Sequence, residues 1–367
     1  MSCDALALPS VRGIAAYQTG KPIAELSRET GIAEADIVKL ASNENPLGMS
    51  PAAIAAAAGA LGELARYPDG AGFDLKAALS ARFGLQPEQI VLGNGSNDVL
   101  DMVGRVFLGP GTSAVYSQHA FAVYGLVCQT VGAERIEVPA RDYGHDLAAM
   151  RAAIRPDTRV VWIANPNNPT GTLLAPEAVR EFIFALPAHV VAVLDEAYTE
   201  YLEPAQRCDS LAWVREHPRL LVTRTLAKIY GLAGLRVGFG VADPALIDLC
   251  NRVRQPFNVN SIALAAAVAA LGDDDFVARS AQANRAGMAQ MRAGLDALGV
   301  PYILSAANFL AVEVGDAAAV NAGLLRHGVI VRPIASYGMP RHLRVSIGLP
   351  HENQRFLEVL AALLHAA

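Results

Sequence analysis

The 367-residue sequence is poor in cysteine, tryptophan, lysine and charge. Its four cysteines, Cys3, Cys128, Cys208 and Cys250, are far apart and form no CxxC pair, and the eight histidines do not cluster. That spacing excludes a disulfide framework and a zinc site. No apolar run reaches the ~20 residues needed to cross a bilayer. The longest, around Ile54 to Leu61 and Ile262 to Leu271, read as buried helices. Met1 to Ser10 contains Asp4 and lacks a basic region ahead of an apolar core, so it does not read as a secretory signal, and a cytoplasmic protein with no membrane partner is expected. The net charge is -5 and the basic residues are dispersed, which leaves no footprint for nucleic acid. What is abundant is apolar: 53% of residues are hydrophobic and 18% charged, a balance that excludes disorder and suits an alanine-rich globular enzyme.

The length predicts two unequal domains. Short β-branched runs at Ile90 to Leu92, Ser113 to Tyr116, Arg135 to Val138, Arg159 to Ala164, Val190 to Leu194, Leu220 to Thr223 and Val237 to Val241 alternate with longer helical patterns. This predicts an α/β fold whose large domain, residues 43–256, holds a mostly parallel seven-stranded sheet between helices. Runs such as Val190 to Leu194 are apolar on both faces, as central strands are. After Val241 the pattern changes to long helices at Pro244 to Arg254, Ser261 to Leu271 and Asp274 to Leu298. Strands follow at Phe309 to Glu313, Val329 to Arg332 and Leu343 to Ile347, with a last helix after Pro350. Residues 257–367 are expected to form a smaller α+β domain. Residues 1–42, with no strand run of their own, should fold back onto it.

Ligands in such sheets bind beyond the carboxyl ends of the strands, so those ends are where chemistry is sought. Val190 to Leu194 runs into Asp195-Glu196-Ala197-Tyr198; a lone aspartate there could simply cap a helix. Leu220 to Thr223 runs into Arg224-Thr225-Leu226-Ala227-Lys228 and a glycine-containing loop that ends at Arg236. Lys21, Lys39 and Lys76 lie in polar surroundings typical of solvated helix faces, whereas Lys228 has apolar neighbours. Burial and a nearby cation lower an amine's pKa and fit it for Schiff-base chemistry. Arg159 to Ala164 ends at the turn formers Asn165-Pro166-Asn167-Asn168-Pro169-Thr170-Gly171. Ile90 to Leu92 leads into Gly93-Asn94-Gly95-Ser96-Asn97-Asp98, a glycine turn opening a helix, which offers backbone N–H groups to a phosphate.

Taken together, these motifs resemble the fold-type I pyridoxal 5'-phosphate (PLP) aminotransferases, most closely the histidinol-phosphate aminotransferase group, over nearly the whole chain. The carriers are Asn165 to Gly171, Asp195 to Tyr198, Thr225 to Lys228 with Arg236 eight residues on, and Arg344-Val345-Ser346-Ile347-Gly348. Tyr17 to Pro22, Asn43 to Gly48 and Arg66-Tyr67-Pro68-Asp69 match at the front end. The resemblance implies that Lys228 carries PLP and moves the substrate's proton, and that Asp195 pairs with the pyridine nitrogen. Tyr198 and Asn168 would bond the ring oxygen, and Phe121 would lie on the ring face. Gly95, Ser96, Asn97, Thr225 and Arg236 would cup the phosphate. Phe121 departs from the tyrosine common in the group, and Ala227 from a serine.

The resemblance also implies a homodimer in which Tyr67 reaches the neighbour's phosphate site, and a substrate pocket that includes Tyr17 and Asn43. Arg344 would grip a carboxylate or phosphate and Arg332 the phosphate end; both sit beside apolar strand runs, where a guanidinium wants an anionic partner. The activity so implied is transfer of an amino group between L-histidinol phosphate and 2-oxoglutarate, giving imidazole acetol phosphate and L-glutamate in histidine biosynthesis. An aromatic amino acid aminotransferase and a threonine-phosphate decarboxylase share the same anchors and stay open as alternatives. A non-catalytic PLP-binding regulator is disfavoured, since no DNA-binding module precedes Ala41.

Overall fold

Period-2 side-chain alternation sorts the apolar residues of the large sheet onto two faces, and each face has its own core. The computed structural model describes residues 3–16 and 20–365. In chain order its strands are β1 (Val38–Lys39), β2 (Ile90–Gly93), β3 (Ser113–Ser117), β4 (Glu134–Val138), β5 (Thr158–Ala164), β6 (Val191–Asp195), β7 (Leu220–Thr225), β8 (Gly238–Val241), β9 (Tyr302–Ile303), β10 (Phe309–Glu313), β11 (Val329–Ile330), β12 (Arg332–Pro333) and β13 (His342–Ser346). The large sheet has the order β2-β8-β7-β6-β5-β3-β4. Only β8 runs antiparallel to its neighbours, so the sheet is mostly parallel, as the alternating pattern predicts.

Val161 and Ile163 of β5, with Ala192 and Leu194 of β6, face one core; Val160, Trp162, Val191 and Val193 face the other. Helices Ser96–Phe107, Ala122–Val131 and Pro244–Val253 cover the Trp162 side. Helices Pro51–Gly59, Phe73–Phe83 and Pro176–Phe184 cover the opposite side. Side-chain caps fix where several helices begin: Ser50 accepts from the Ala53 N–H and Asn260 from that of Ala263.

Three expectations need correction. Helix Ser261–Leu271 falls within 257–367, yet Ala263, Ala266, Ala267 and Ala270 pack with Ala53 in the large-sheet core. The change of layer therefore comes after Leu271. The helix is apolar all round, so its pattern carries no sign of which layer it joins. The first forty residues do contribute a strand, β1, paired in parallel with β11. The stretch Val329 to Arg332 is not one strand: β11 pairs with β1, whereas β12 belongs to an antiparallel sheet of order β12-β13-β10-β9. That sheet and helices Asp274–Ala297, Ala317–Arg326 and Pro350–His365 enclose a separate core of Leu310, Val312, Leu343, Val345 and Phe356. Leu26, Ile37 and Ala41 pack against Ile330 of β11, which ties the N-terminal segment to this layer.

Candidate active site

The ends of β5, β6 and β7, the turn after β2 and the β12–β13 pair meet around a cavity of about 200 Å³. Ser96, Asn97, Phe121, Asn168, Asp195, Tyr198, Thr225, Lys228 and Arg236 line it from around the large sheet. Asn43, and Arg332 and Arg344 of the β12–β13 pair, complete the lining.

Lys228 follows β7 in a loop whose neighbours Leu226 and Ile229 are buried. Its amine donates to the Ser42 carbonyl at 3.3 Å and lies 5.8 Å from the centre of the Tyr198 ring. Burial, and after it the Arg344 charge, bring its pKa down from 10.5 to about 8. Of the other lysines none lines the cavity; Lys76, expected on a solvated face, is half-buried, and burial lowers its proton affinity too. Lys21 pairs with Glu25 and Glu29, and Lys39 with Glu44. Lys39 sits on β1 rather than on a helix face.

Asp195 is the last residue of β6 and 5% exposed. Burial pushes its pKa up, opposed by two hydroxyl donors: Tyr124 to Oδ2 at 2.8 Å and Thr223 to Oδ1 at 3.1 Å. Neither donor stands out in the sequence. Tyr124 lies one helical turn after Phe121 in an apolar helix and reads as core; Thr223 lies inside a strand. Asn43, at φ 55°, donates its amide to the Tyr198 hydroxyl at 2.9 Å. Asn168 accepts from Arg344 at 2.6 Å, leaving its NH₂ group as a donor.

The phosphate-sized end is shaped by missing side chains. Gly95 has φ 79°, and a Cβ there would lie 2.5 Å from an Arg236 nitrogen. A Cβ on Gly238 of β8 would lie 2.5 Å from the Ser96 nitrogen. Two glycines thus let a helix start, a strand and a guanidinium converge, the arrangement that binds a phosphate. Across the cavity, Arg332 of β12 and Arg344 of β13 are directly opposed in the antiparallel register. Arg344 also donates to the Ala41 carbonyl at 2.8 Å. Like charges placed opposite each other destabilise a strand pair, so the pairing favours an anion between them.

Tyr17 is outside the described residues. Tyr67 is 82% exposed, away from the cavity of its own chain, and stacks on Phe257 with ring centres 4.7 Å apart. Among the described residues there is no group of side chains that could hold a metal ion, and no helix is long and apolar enough to cross a membrane.

A family profile, "Aminotransferase class I and II", matches residues 35–360. The chain belongs to this aminotransferase family. Aminotransferases of this kind are PLP enzymes, and the residues present fit that cofactor. A lysine amine of depressed proton affinity faces a buried carboxylate, and the glycine cradle beside Arg236 suits a phosphate. The chain is 63% identical over its whole length, and over 95% of the relative, to a protein of Thiobacillus denitrificans named histidinol-phosphate aminotransferase 1. The histidinol-phosphate aminotransferase of Sinorhizobium meliloti, solved in complex with pyridoxal-5'-phosphate, superimposes with a TM-score of 0.89 at 26% identity, covering 98% of this chain and 97% of that one. An L-threonine-O-3-phosphate decarboxylase of Porphyromonas gingivalis shares the fold, with a TM-score of 0.80 at 22% identity over 90% of this chain and all of that one.

Proposed function

We propose that this aminotransferase moves an amino group between L-histidinol phosphate and 2-oxoglutarate, with PLP held at Lys228. The observation that carries the substrate is the opposed pair Arg332 and Arg344 on one wall of the cavity that holds Lys228. Two guanidinium groups across a strand pair suit a phosphate dianion in one half-reaction and a dicarboxylate in the other. The name carried by the 63%-identical relative supports the same substrate.

When bound, the cofactor supplies an electron-withdrawing ring that stabilises negative charge on the substrate carbon. The chain's residues do the rest. The Ser96–Phe107 helix start, Thr225 and Arg236 would hold the phosphate, and Phe121 would pack on the ring. Asp195 would keep a negative charge for the ring nitrogen. Tyr198, oriented by Asn43, and the Asn168 amide would hold the ring oxygen. Lys228, with a pKa of about 8, has an appreciable neutral fraction near neutrality and serves as the base that moves the proton on the substrate carbon.

The side chains Ile54, Leu61, Leu64, Tyr67, Phe73 and Phe257 are exposed, and Tyr67 stacks on Phe257. We assign the Tyr67–Phe257 pair to a homodimer contact in which Tyr67 enters the partner's phosphate site. Four unpaired cysteines, three of them buried, fit a cytoplasmic enzyme.

The test is a half-reaction screen. The PLP-loaded enzyme is mixed with histidinol phosphate, phenylalanine, tyrosine or threonine phosphate, and loss of the cofactor's visible band is followed. Histidinol phosphate should react with a specificity constant at least about tenfold above the others, a difference of ~1.4 kcal/mol, and 2-oxoglutarate should restore the band. Preference for phenylalanine would make this an aromatic aminotransferase, and carbon dioxide release from threonine phosphate a decarboxylase.

A further inference from the structure

We propose that Tyr124 is a positioning residue that keeps Asp195 a carboxylate by donating its hydroxyl to Oδ2, so that the proton between Asp195 and the cofactor stays on the ring nitrogen. The inference rests on the reading of Asp195 as partner of that nitrogen.

Tyr124 is fully buried, on the helix Ala122–Val131 that follows Phe121. Its ring is stacked on Trp162 of β5, with centres 5.2 Å apart and planes 5° from parallel, and meets the Phe121 ring edge-on at 5.9 Å. Phenylalanine would fill that slot equally well. A buried hydroxyl costs free energy unless it is bonded, and this one is bonded to Asp195 at 2.8 Å. Burial and the adjoining carboxylate hold the phenol well above its usual range, so it stays a donor at any working pH.

The other groups around Asp195 point the same way. Thr223 of β7 donates to Oδ1, so each oxygen has a hydroxyl partner. Glu196, the adjacent charge, is taken up by Arg224 and Ser210, each at 2.8 Å. Lys228 and Tyr198 face the same cavity. Donors to a carboxylate stabilise its charged form and make it a poorer proton acceptor. Without Tyr124's proton, burial would favour the neutral acid, and the ring nitrogen would lose its charge. Tyr124 touches neither substrate nor cofactor in this account; it acts through Asp195.

The experiment uses the PLP-loaded enzyme and two spectroscopic readouts: the ¹⁵N signal of the cofactor's ring nitrogen and the pH midpoint of its visible band. Tyr124→Phe should move the ¹⁵N signal toward the unprotonated position. It should raise the midpoint by on the order of one pH unit and slow the half-reaction about tenfold or more. Fluorotyrosine placed at position 124, a stronger donor of nearly the same shape, should move the midpoint the opposite way. Loss of packing alone predicts no such reversal. If both variants leave the ¹⁵N signal and midpoint at wild-type values, Tyr124 has no role through Asp195. Asp195→Asn is the control for the underlying reading: it must itself move the ¹⁵N signal. If it does not, the assignment of Asp195 fails; if it does while Tyr124→Phe does not, only the Tyr124 inference fails. Should Tyr124→Phe not fold, Thr223→Val tests the other hydroxyl in the same assay, with the same direction expected and an unmoved signal counting against the scheme.

Discussion

Burying the Lys228 amine should destabilise the cofactor-free protein, and replacing it by a neutral side chain should recover that stability. The unfolded chain binds this proton with the ordinary lysine pKa of 10.5, the folded chain with one of about 8. Below about 8 both states are protonated and folding bears the whole cost. Between about 8 and 10.5 the folded protein releases the proton while the unfolded chain keeps it, so stability climbs with pH; above 10.5 the cost is gone. At ~1.36 kcal/mol per pH unit the interval sets an upper limit of roughly 3–4 kcal/mol. The amine stands at the wall of an open cavity, and its partial contact with water reduces this to roughly 1–3 kcal/mol. Lys228→Met keeps most of the side-chain volume and removes the charge. In cofactor-stripped protein at fixed concentration, urea unfolding at neutral pH should show Lys228→Met to be the more stable form. The gap should narrow through pH 9 and close above 10.5. A variant no more stable than wild type at neutral pH, or a gain that persists unchanged into strong alkali, would refute the reasoning. The neutral amine proposed as the base would then lack its structural basis.

Further outcomes follow from the site. Borohydride reduction and peptide mapping of the PLP-loaded enzyme should label Lys228; label on Lys21, Lys39 or Lys76 would overturn the assignment. Arg332→Ala should lower the specificity constant for histidinol phosphate by about ten- to a hundredfold, the ~1.5–3 kcal/mol of a charge-assisted bond, and leave phenylalanine nearly untouched. Equal losses for both donors would count against the phosphate reading. Arg344→Ala should impair histidinol phosphate and 2-oxoglutarate alike, measured as separate half-reactions. Gly95→Ala sets a Cβ 2.5 Å from the Arg236 guanidinium at a φ of 79°, so it should cost ~1–3 kcal/mol of stability and weaken PLP retention in equilibrium dialysis.

Central strands were the most legible part of the fold because burial on both faces leaves little room for polar residues. β5 from Val160 on and β6 as far as Leu194 are therefore continuous apolar runs, and the polar residues that follow them, Asn165 to Gly171 and Asp195, stand out. Two-residue elements leave no such trace. β1, β9, β11 and β12 are too short for any periodicity, so the division at Val331 was invisible. Helix Ser261–Leu271 was visible as a helix but not as a member of the large-sheet layer, since an all-apolar surface has no face to orient it. In the site, residues that could touch a ligand were recognisable at strand ends. Those that act behind them, Tyr124 and Thr223, have the composition of ordinary core and emerge only once the distances to Asp195 are known. Tyr67 illustrates a third limit: one chain alone leaves it on the surface, stacked on Phe257.

The split at Val331 has a consequence for how such an enzyme could change its substrate. Residues 329–330 are locked in register to β1 and residues 332–333 to β13, with a single residue between the two sheets. Side chains on a strand alternate faces, so a deletion or insertion at this joint that slips the β12–β13 pairing by one residue would turn position 332 away from the cavity without replacing any residue inside it. If Arg332 meets the donor's phosphate as proposed, that charge could be removed by a change of chain length, leaving Lys228, Asp195 and the glycine cradle in place. On the proposed reading, length variation at this joint, like substitution of Arg332 itself, is a route by which preference for phosphorylated and unphosphorylated donors could diverge.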